Sequence, residues 1–177
     1  DADLSAYAWV DQATELATRD DVDVVVELVG GENGIAKETI ELALDNGKDV
    51  VTANKALLAV HGQALAERAE ANGRLIRFEA AVAGGIPVIK AMTESLAGNE
   101  IRRVMGVMNG TCNYILTRME SAGLPYEAVF EEARQLGYLE ADPTLDVGGI
   151  DAGHKLSILS SIAFGTQVNF NAVEIEG

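Results

Sequence analysis

Four carboxylates and one lysine fall within the nineteen residues from Gly137 to Lys155: Glu140, Asp142, Asp146, Asp151 and Lys155, interrupted by Pro143, Gly148, Gly149 and Gly153. Asp151 and Lys155 are four apart, so on a helix they share a face. Two chemistries are open to such a pair. One is a solvated ion pair worth about 0.3–0.5 kcal/mol. The other is a partly buried ammonium group able to donate a proton, which suits a lysine beside several acids. Ala152, Leu156 and Leu159 make the surrounding helix apolar over much of its circumference, and the pattern alone leaves both open. Thr52-Ala53-Asn54-Lys55 stands where a strand should end and a helix begin. In open α/β sheets, ligands bind beyond the carboxyl ends of strands. Gly30-Gly31 follows the preceding strand and belongs to the same rim. Asn54 serves equally as a helix cap, and Lys55 as a solvated lysine.

Three further positions carry chemistry of some kind. Glu79 lies between Phe78 and Ala80-Ala81-Val82 in what reads as a strand. A carboxylate there must be paired, bind a cation or point outward. The small residues Ala83 to Gly85 leave carbonyl oxygens accessible, and hard cations prefer such ligands. In Met108-Asn109-Gly110-Thr111-Cys112-Asn113, Gly110 permits close backbone approach and Thr111 offers a hydroxyl and a helix cap. Cys112 reads as a small buried or helix-start residue rather than a nucleophile, because His61 and His154 have no spacing that pairs either with it.

The elements that must position these groups are legible from periodicity. Ser5 can cap a helix to about Ala17. Val22 to Val29 is a run of β-branched residues that predicts a strand covered on both faces. A helix over Asn33–Asn46, a strand over Asp49–Thr52, a helix over Lys55–Asn72 and a strand over Arg74–Val82 follow. That alternation predicts a parallel sheet. Beyond it, Pro87 opens a helix to about Leu96, Ile101–Met108 reads as a strand, and helices follow over Asn113–Ser121, Tyr126–Leu136 and Ile150–Ala163. The loop from Gly137 to Gly149 is long and acidic, which in a compact domain usually means function. The expected fold class is α/β: an incomplete parallel Rossmann-like sheet over residues 1–83, then an α+β substrate and dimerisation lobe over 84–177.

The chain has 177 residues and a net charge of −15, from 13 basic and 28 acidic side chains. Such an excess disfavours a nucleic-acid or anionic-membrane surface, though not a small anionic ligand held by a few placed groups. No apolar run reaches the roughly 18 residues of a membrane span. A lone cysteine excludes an internal disulfide and suits a reducing, cytoplasmic setting.

Taken together, these segments resemble the homoserine dehydrogenase family over nearly the whole chain. The resemblance rests on Val51-Thr52-Ala53-Asn54-Lys55, Phe78-Glu79-Ala80-Ala81-Val82, Gly84-Gly85-Ile86-Pro87, Asn109-Gly110-Thr111-Cys112-Asn113-Tyr114-Ile115-Leu116 and Leu136-Gly137-Tyr138 through Glu140-Ala141-Asp142-Pro143. It continues through Asp146, Gly149, Asp151-Ala152 and His154-Lys155. It implies reversible NAD(P)-dependent interconversion of L-aspartate 4-semialdehyde and L-homoserine, in threonine, methionine and isoleucine biosynthesis. It further implies that Lys155 is the proton donor, that Glu140 and Asp151 hold the substrate ammonium, and that Asp146, Gly110 and Thr111 lie beside the substrate. Lys55 is implied as a catalytic lysine where cofactor meets substrate, with Gly30, Gly31 and Asn54 on the cofactor. A sodium ion is implied at Glu79 with main-chain oxygens of Val82, Gly84 and Ile86. A homodimer, with Ile101–Met108 at its interface, is implied as well.

The sequence departs from that family in one respect. A dinucleotide site needs a G-x-G-x-x-G turn after its first strand, and Gly30-Gly31-Glu32-Asn33-Gly34 does not have that spacing. The expectation is therefore a central fragment that begins after the first strand–helix unit and is inactive by itself. The rivals are a non-catalytic dimer-forming module of the same fold and an acylating semialdehyde dehydrogenase. The latter would need a cysteine with a histidine base.

Overall fold

The β-branched runs at the start of the chain become neighbouring parallel strands. A computed structural model describes residue 3 and residues 5–139 and 143–177, and divides the chain into two compact units, Asp1–Ala97 and Gly98–Gly177. In the first unit, β1 (Val24–Glu27), β2 (Asp49–Thr52) and β3 (Ile76–Arg77) lie side by side in that order. The register sets Val24 opposite Asp49 and Glu27 opposite Thr52, so the first two strands end level. Three helices alternate with them: α1 (Ala13–Thr18), α2 (Ile35–Asp45) and α3 (Lys55–Ala71). Their apolar sides meet the sheet in a core of Ala17, Val25, Ile40, Leu44, Val50, Leu57 and Leu65.

Four expectations for this unit are corrected. The first helix does not start at Ser5. It starts at Ala13, where the Glu15 carboxylate accepts the Gln12 N–H at 3.1 Å. Strand β1 is not covered on both faces: Val25 and Glu27 are buried, while Val24 and Val26 are 47% and 60% exposed, because the described helices pack against the other side. The third strand stops at Arg77, and Glu79–Ala83 forms a short helix, α4. Alanine favours that change, and Glu79 secures it by accepting the N–H groups of Ile89 and Lys90 at 2.7 and 2.9 Å. Finally, the helix expected from Pro87 divides into α5 (Val88–Lys90) and a wider turn over Ala91–Ser95.

The second unit is helical: α6 (Gly110–Ala122), α7 (Tyr126–Gln135), α8 (Thr144–Val147) and α9 (Ile150–Phe164). Ile115, Val129 and Ala133 form the α6–α7 core. The strand expected at Ile101–Met108 has no sheet partner among the described residues, and Met105 and Val107 are exposed. No helix among the described residues is long and apolar enough to cross a membrane.

Helix α9 carries the acidic segment's lysine, and its placement depends on a glycine. A Cβ on Gly153 would lie 2.8 Å from Cδ1 of Ile175 and 3.1 Å from the Phe170 ring, and one on Gly149 would lie 2.8 Å from Cγ2 of Ile175. Ile175 thus seats directly on the backbone of α9. Gly153→Ala would gain about 1 kcal/mol of helix propensity and lose about 1–3 kcal/mol to overpacking. Urea unfolding should therefore show a net loss of stability, and Ile175→Val, which removes Cδ1, should relieve part of it.

Candidate active site

Two clusters of polar side chains form, one in each unit. In the first, the buried Glu27 carboxylate at the end of β1 accepts the Thr52 hydroxyl at 2.6 Å through Oε2. Its Oε1 accepts the N–H groups of Val29 and Gly30 at 2.7 and 2.9 Å. Thr52 Oγ1 in turn accepts the Asn54 N–H at 3.0 Å. Asn54 then acts twice: Oδ1 caps α3 by accepting the Leu57 N–H at 3.1 Å, and Nδ2 donates to the Gly31 carbonyl at 2.7 Å. The network fastens the Gly30-Gly31 turn to the start of α3, whose first residue is Lys55. Gly30, Gly31, Asn54 and Lys55 are thus brought to one rim.

Both glycines have φ of +85°, a conformation that strains any other residue. No atom lies within 4 Å of where a Gly30 Cβ would sit, so the backbone there is open to close approach. That fits a nucleotide laid against a strand–helix turn. Asn54 is both the cap and the tie between turn and helix. Glu27 was not singled out from the sequence; its only signal was a carboxylate closing a β-branched run.

In the second unit the loop before α6 meets α8 and α9. Lys155 Nζ donates to the Met108 carbonyl at 2.7 Å and to Asp151 Oδ2 at 2.8 Å. The two side chains are only 19% and 7% exposed, so this is not a solvated ion pair. An ammonium has three N–H donors; among the described residues these two bonds leave one that can meet a ligand oxygen. Asn109 Nδ2 donates to Asp146 Oδ1 at 2.8 Å and to Asp151 Oδ2 at 3.0 Å. Asn109 Oδ1 caps α6 through the Cys112 N–H at 2.8 Å. Thr111 donates to the Tyr138 carbonyl at 3.0 Å, and with Gly110, Tyr114 and Tyr138 it lines a cavity of about 430 Å³.

Asp146, Asp151, Lys155, Gly110 and Thr111 are thus gathered around one loop, while Glu140 lies outside the described residues. Asn109 was visible in the sequence only as part of a turn. Glu79 sits elsewhere, in the first unit, with its carboxylate turned to backbone N–H groups.

Cys112 reports on the charge of this site. Its thiol donates to the Asp146 carbonyl at 3.2 Å. Burial first, then the Asp146 and Asp151 carboxylates, push it above the usual thiol range. The protonated form is favoured, so iodoacetamide should modify native Cys112 slowly at pH 8 and faster only at higher pH. Asp146→Asn removes one negative neighbour and should raise the rate at pH 8. An unchanged rate would contradict these electrostatics.

The geometry agrees with what the chain resembles among known proteins. Residues 1–79 match the family model for the NAD-binding domain of homoserine dehydrogenase, and residues 87–177 match the one for homoserine dehydrogenase itself. A homoserine dehydrogenase of Neisseria gonorrhoeae is 54% identical over 170 residues, which are 96% of this chain and 39% of that protein. One from Corynebacterium glutamicum is 52% identical over 94% of this chain and 37% of its own length. Among solved structures, a homoserine dehydrogenase from Thiobacillus denitrificans superposes with a TM-score of 0.91 at 48% identity, over 94% of this chain and 38% of that one. The S. aureus homoserine dehydrogenase gives 0.81 at 38% identity, over 98% of this chain and 41% of that one. The chain spans about two fifths of the length of these relatives. With a family model matching more than half of its residues, the chain belongs to the homoserine dehydrogenase family.

Proposed function

We propose that this chain carries the catalytic lysine and much of the substrate site of an enzyme that interconverts L-aspartate 4-semialdehyde and L-homoserine. The observation that carries the reading is the Lys155 ammonium, held by Asp151 Oδ2 and the Met108 carbonyl in a largely buried site, with one donor unused among the described residues. A reduced nicotinamide nucleotide, when bound, supplies the hydride that reaches the carbonyl carbon. Lys155 stabilises the negative charge that grows on the carbonyl oxygen and delivers the proton that completes the alcohol. Asp146 and Asp151 against Lys155 leave the cluster one charge negative, which suits a substrate bearing an α-ammonium group. Asp151 and Glu140 hold that group in this reading, with Gly110 and Thr111 alongside, so that the aldehyde end is oriented for attack.

The open Gly30-Gly31 turn with Asn54 and Lys55 would hold the nucleotide, NAD or NADP, on the 1–83 side of the division of labour. Residues 84–177 would hold the substrate. Sodium is a further proposal. The turn after Glu79 offers main-chain oxygens of the kind hard cations take, and because Glu79's carboxylate already accepts two N–H bonds, the ion would rely mainly on carbonyls of Val82, Gly84 and Ile86. A homodimer formed through residues 101–108, a cytoplasmic setting and a place in threonine, methionine and isoleucine biosynthesis complete the reading.

The decisive assay follows NADPH oxidation with aspartate semialdehyde. In a chain of the relatives' full length, Lys155→Ala should lower kcat by roughly 10²–10⁴-fold, the range for loss of a general acid. Wild-type turnover in that variant would remove Lys155 from the mechanism.

A further inference from the structure

Asn109 closes the loop that enters α6, and its helix-capping role explains only half of its side chain. A cap requires one oxygen acceptor, which Oδ1 provides to the Cys112 N–H at 2.8 Å. Asp, Ser and Asn serve comparably at that position, and the positive end of the helix would favour the charged Asp. What an amide adds to the cap lies at the other end of the group. There Nδ2 donates to Asp146 Oδ1 at 2.8 Å and to Asp151 Oδ2 at 3.0 Å. Asp151 Oδ2 is also the atom that accepts Lys155 Nζ, and Lys155's second acceptor is the carbonyl of Met108, the residue before Asn109.

We propose that Asn109 is a positioning residue for Lys155: its amide bridges the Asp146 and Asp151 carboxylates without adding charge, and so holds the acid that holds the lysine. The argument is one of charge and reach. Two carboxylates that share one amide nitrogen repel each other, the more so because Asp151 is buried. Lys155 bonds only one of them within this network. An NH₂ group satisfies both with its two hydrogens and leaves the cluster one charge negative. A carboxylate at 109 would add a third like charge, and a hydroxyl is too short to span both acids. Asn109 also ties α6, which it caps, to α8 through Asp146 and to α9 through Asp151. Lys155 is thereby fixed from its acid partner and from the backbone next to Asn109 at once. The functional consequence rests on Lys155 being the proton donor.

Asn109→Ser and Asn109→Asp test this together, because both retain a capping oxygen and both remove the bridge. In the full-length enzyme each should lower kcat by about 10- to 100-fold while leaving the KM for the nucleotide unchanged, as expected when a catalytic group loses its orientation. A residue that only caps α6 would give wild-type kcat in both variants, and that result overturns the proposal. The second arm needs no turnover. The chain contains five lysines, Lys37, Lys48, Lys55, Lys90 and Lys155, and carbon-13 labelling at Cε resolves them by NMR, with Lys155→Arg to assign the signal. Both Asn109 variants should displace the Lys155 signal and leave that of Lys37 in place. Unmoved Lys155 signals overturn the proposal even if activity falls. Absence of semialdehyde turnover in the unmutated enzyme would instead refute the functional reading, and the NMR arm would still decide the role of Asn109.

Discussion

The ion pair between Asp151 and Lys155 is the contact on which the candidate site depends. On an exposed helix a pair at this spacing contributes a few tenths of a kcal/mol and competes with water. Here the carboxylate is buried and the ammonium largely so, which changes the balance. Removing one partner of such a buried pair typically costs about 3–5 kcal/mol, because the other charge is left without compensation. The surroundings answer that desolvation with further bonds: a carbonyl for the ammonium, an amide for the carboxylate. On the same helix α9, glycines at 149 and 153 let Ile175 pack directly on the backbone.

The same device recurs in the other unit with different chemistry. Glu27 is a buried carboxylate satisfied by two backbone N–H groups and a threonine hydroxyl, with no lysine or arginine in that set. It acts through geometry, holding a turn of two left-handed glycines beside the start of a helix. Glu79 is a third instance, accepting two N–H groups at the start of α5. In a chain this acidic, Glu27 and Glu79 thus serve as acceptors for backbone N–H groups that shape loops. Polar groups withdrawn from water are tolerated only when so satisfied.

Much of the architecture was legible before any coordinates. Strand β2 and the bodies of α2, α3, α7 and α9 lie where periodicity and glycine punctuation put them, since those signals are local. Lys155 and Asp151 could be paired from their spacing alone, and Asn54 could be recognised as a cap. What misled was also local. Phe78-Glu79-Ala80-Ala81-Val82 has the apolar look of a strand, and only the N–H groups of Ile89 and Lys90, ten and eleven residues on, turn it into a helix. The β-branched residues of β1 suggested burial on both faces, whereas the described helices stand on one.

By itself the sequence determined much of the order of the elements, the acidic character of the chain and the shared helical face of Asp151 and Lys155, because each follows from composition or from spacing along one segment; the family followed from the resemblance of motifs spread along nearly the whole chain. The tertiary structure alone decided that the pair is buried rather than solvated, that Asn109 reaches two acids 37 and 42 residues away, and that Glu27 orders the glycine turn. Those outcomes depend on groups distant in the chain that meet only when helices and strands pack. No local pattern encodes which carboxylate loses its water and which donor replaces it.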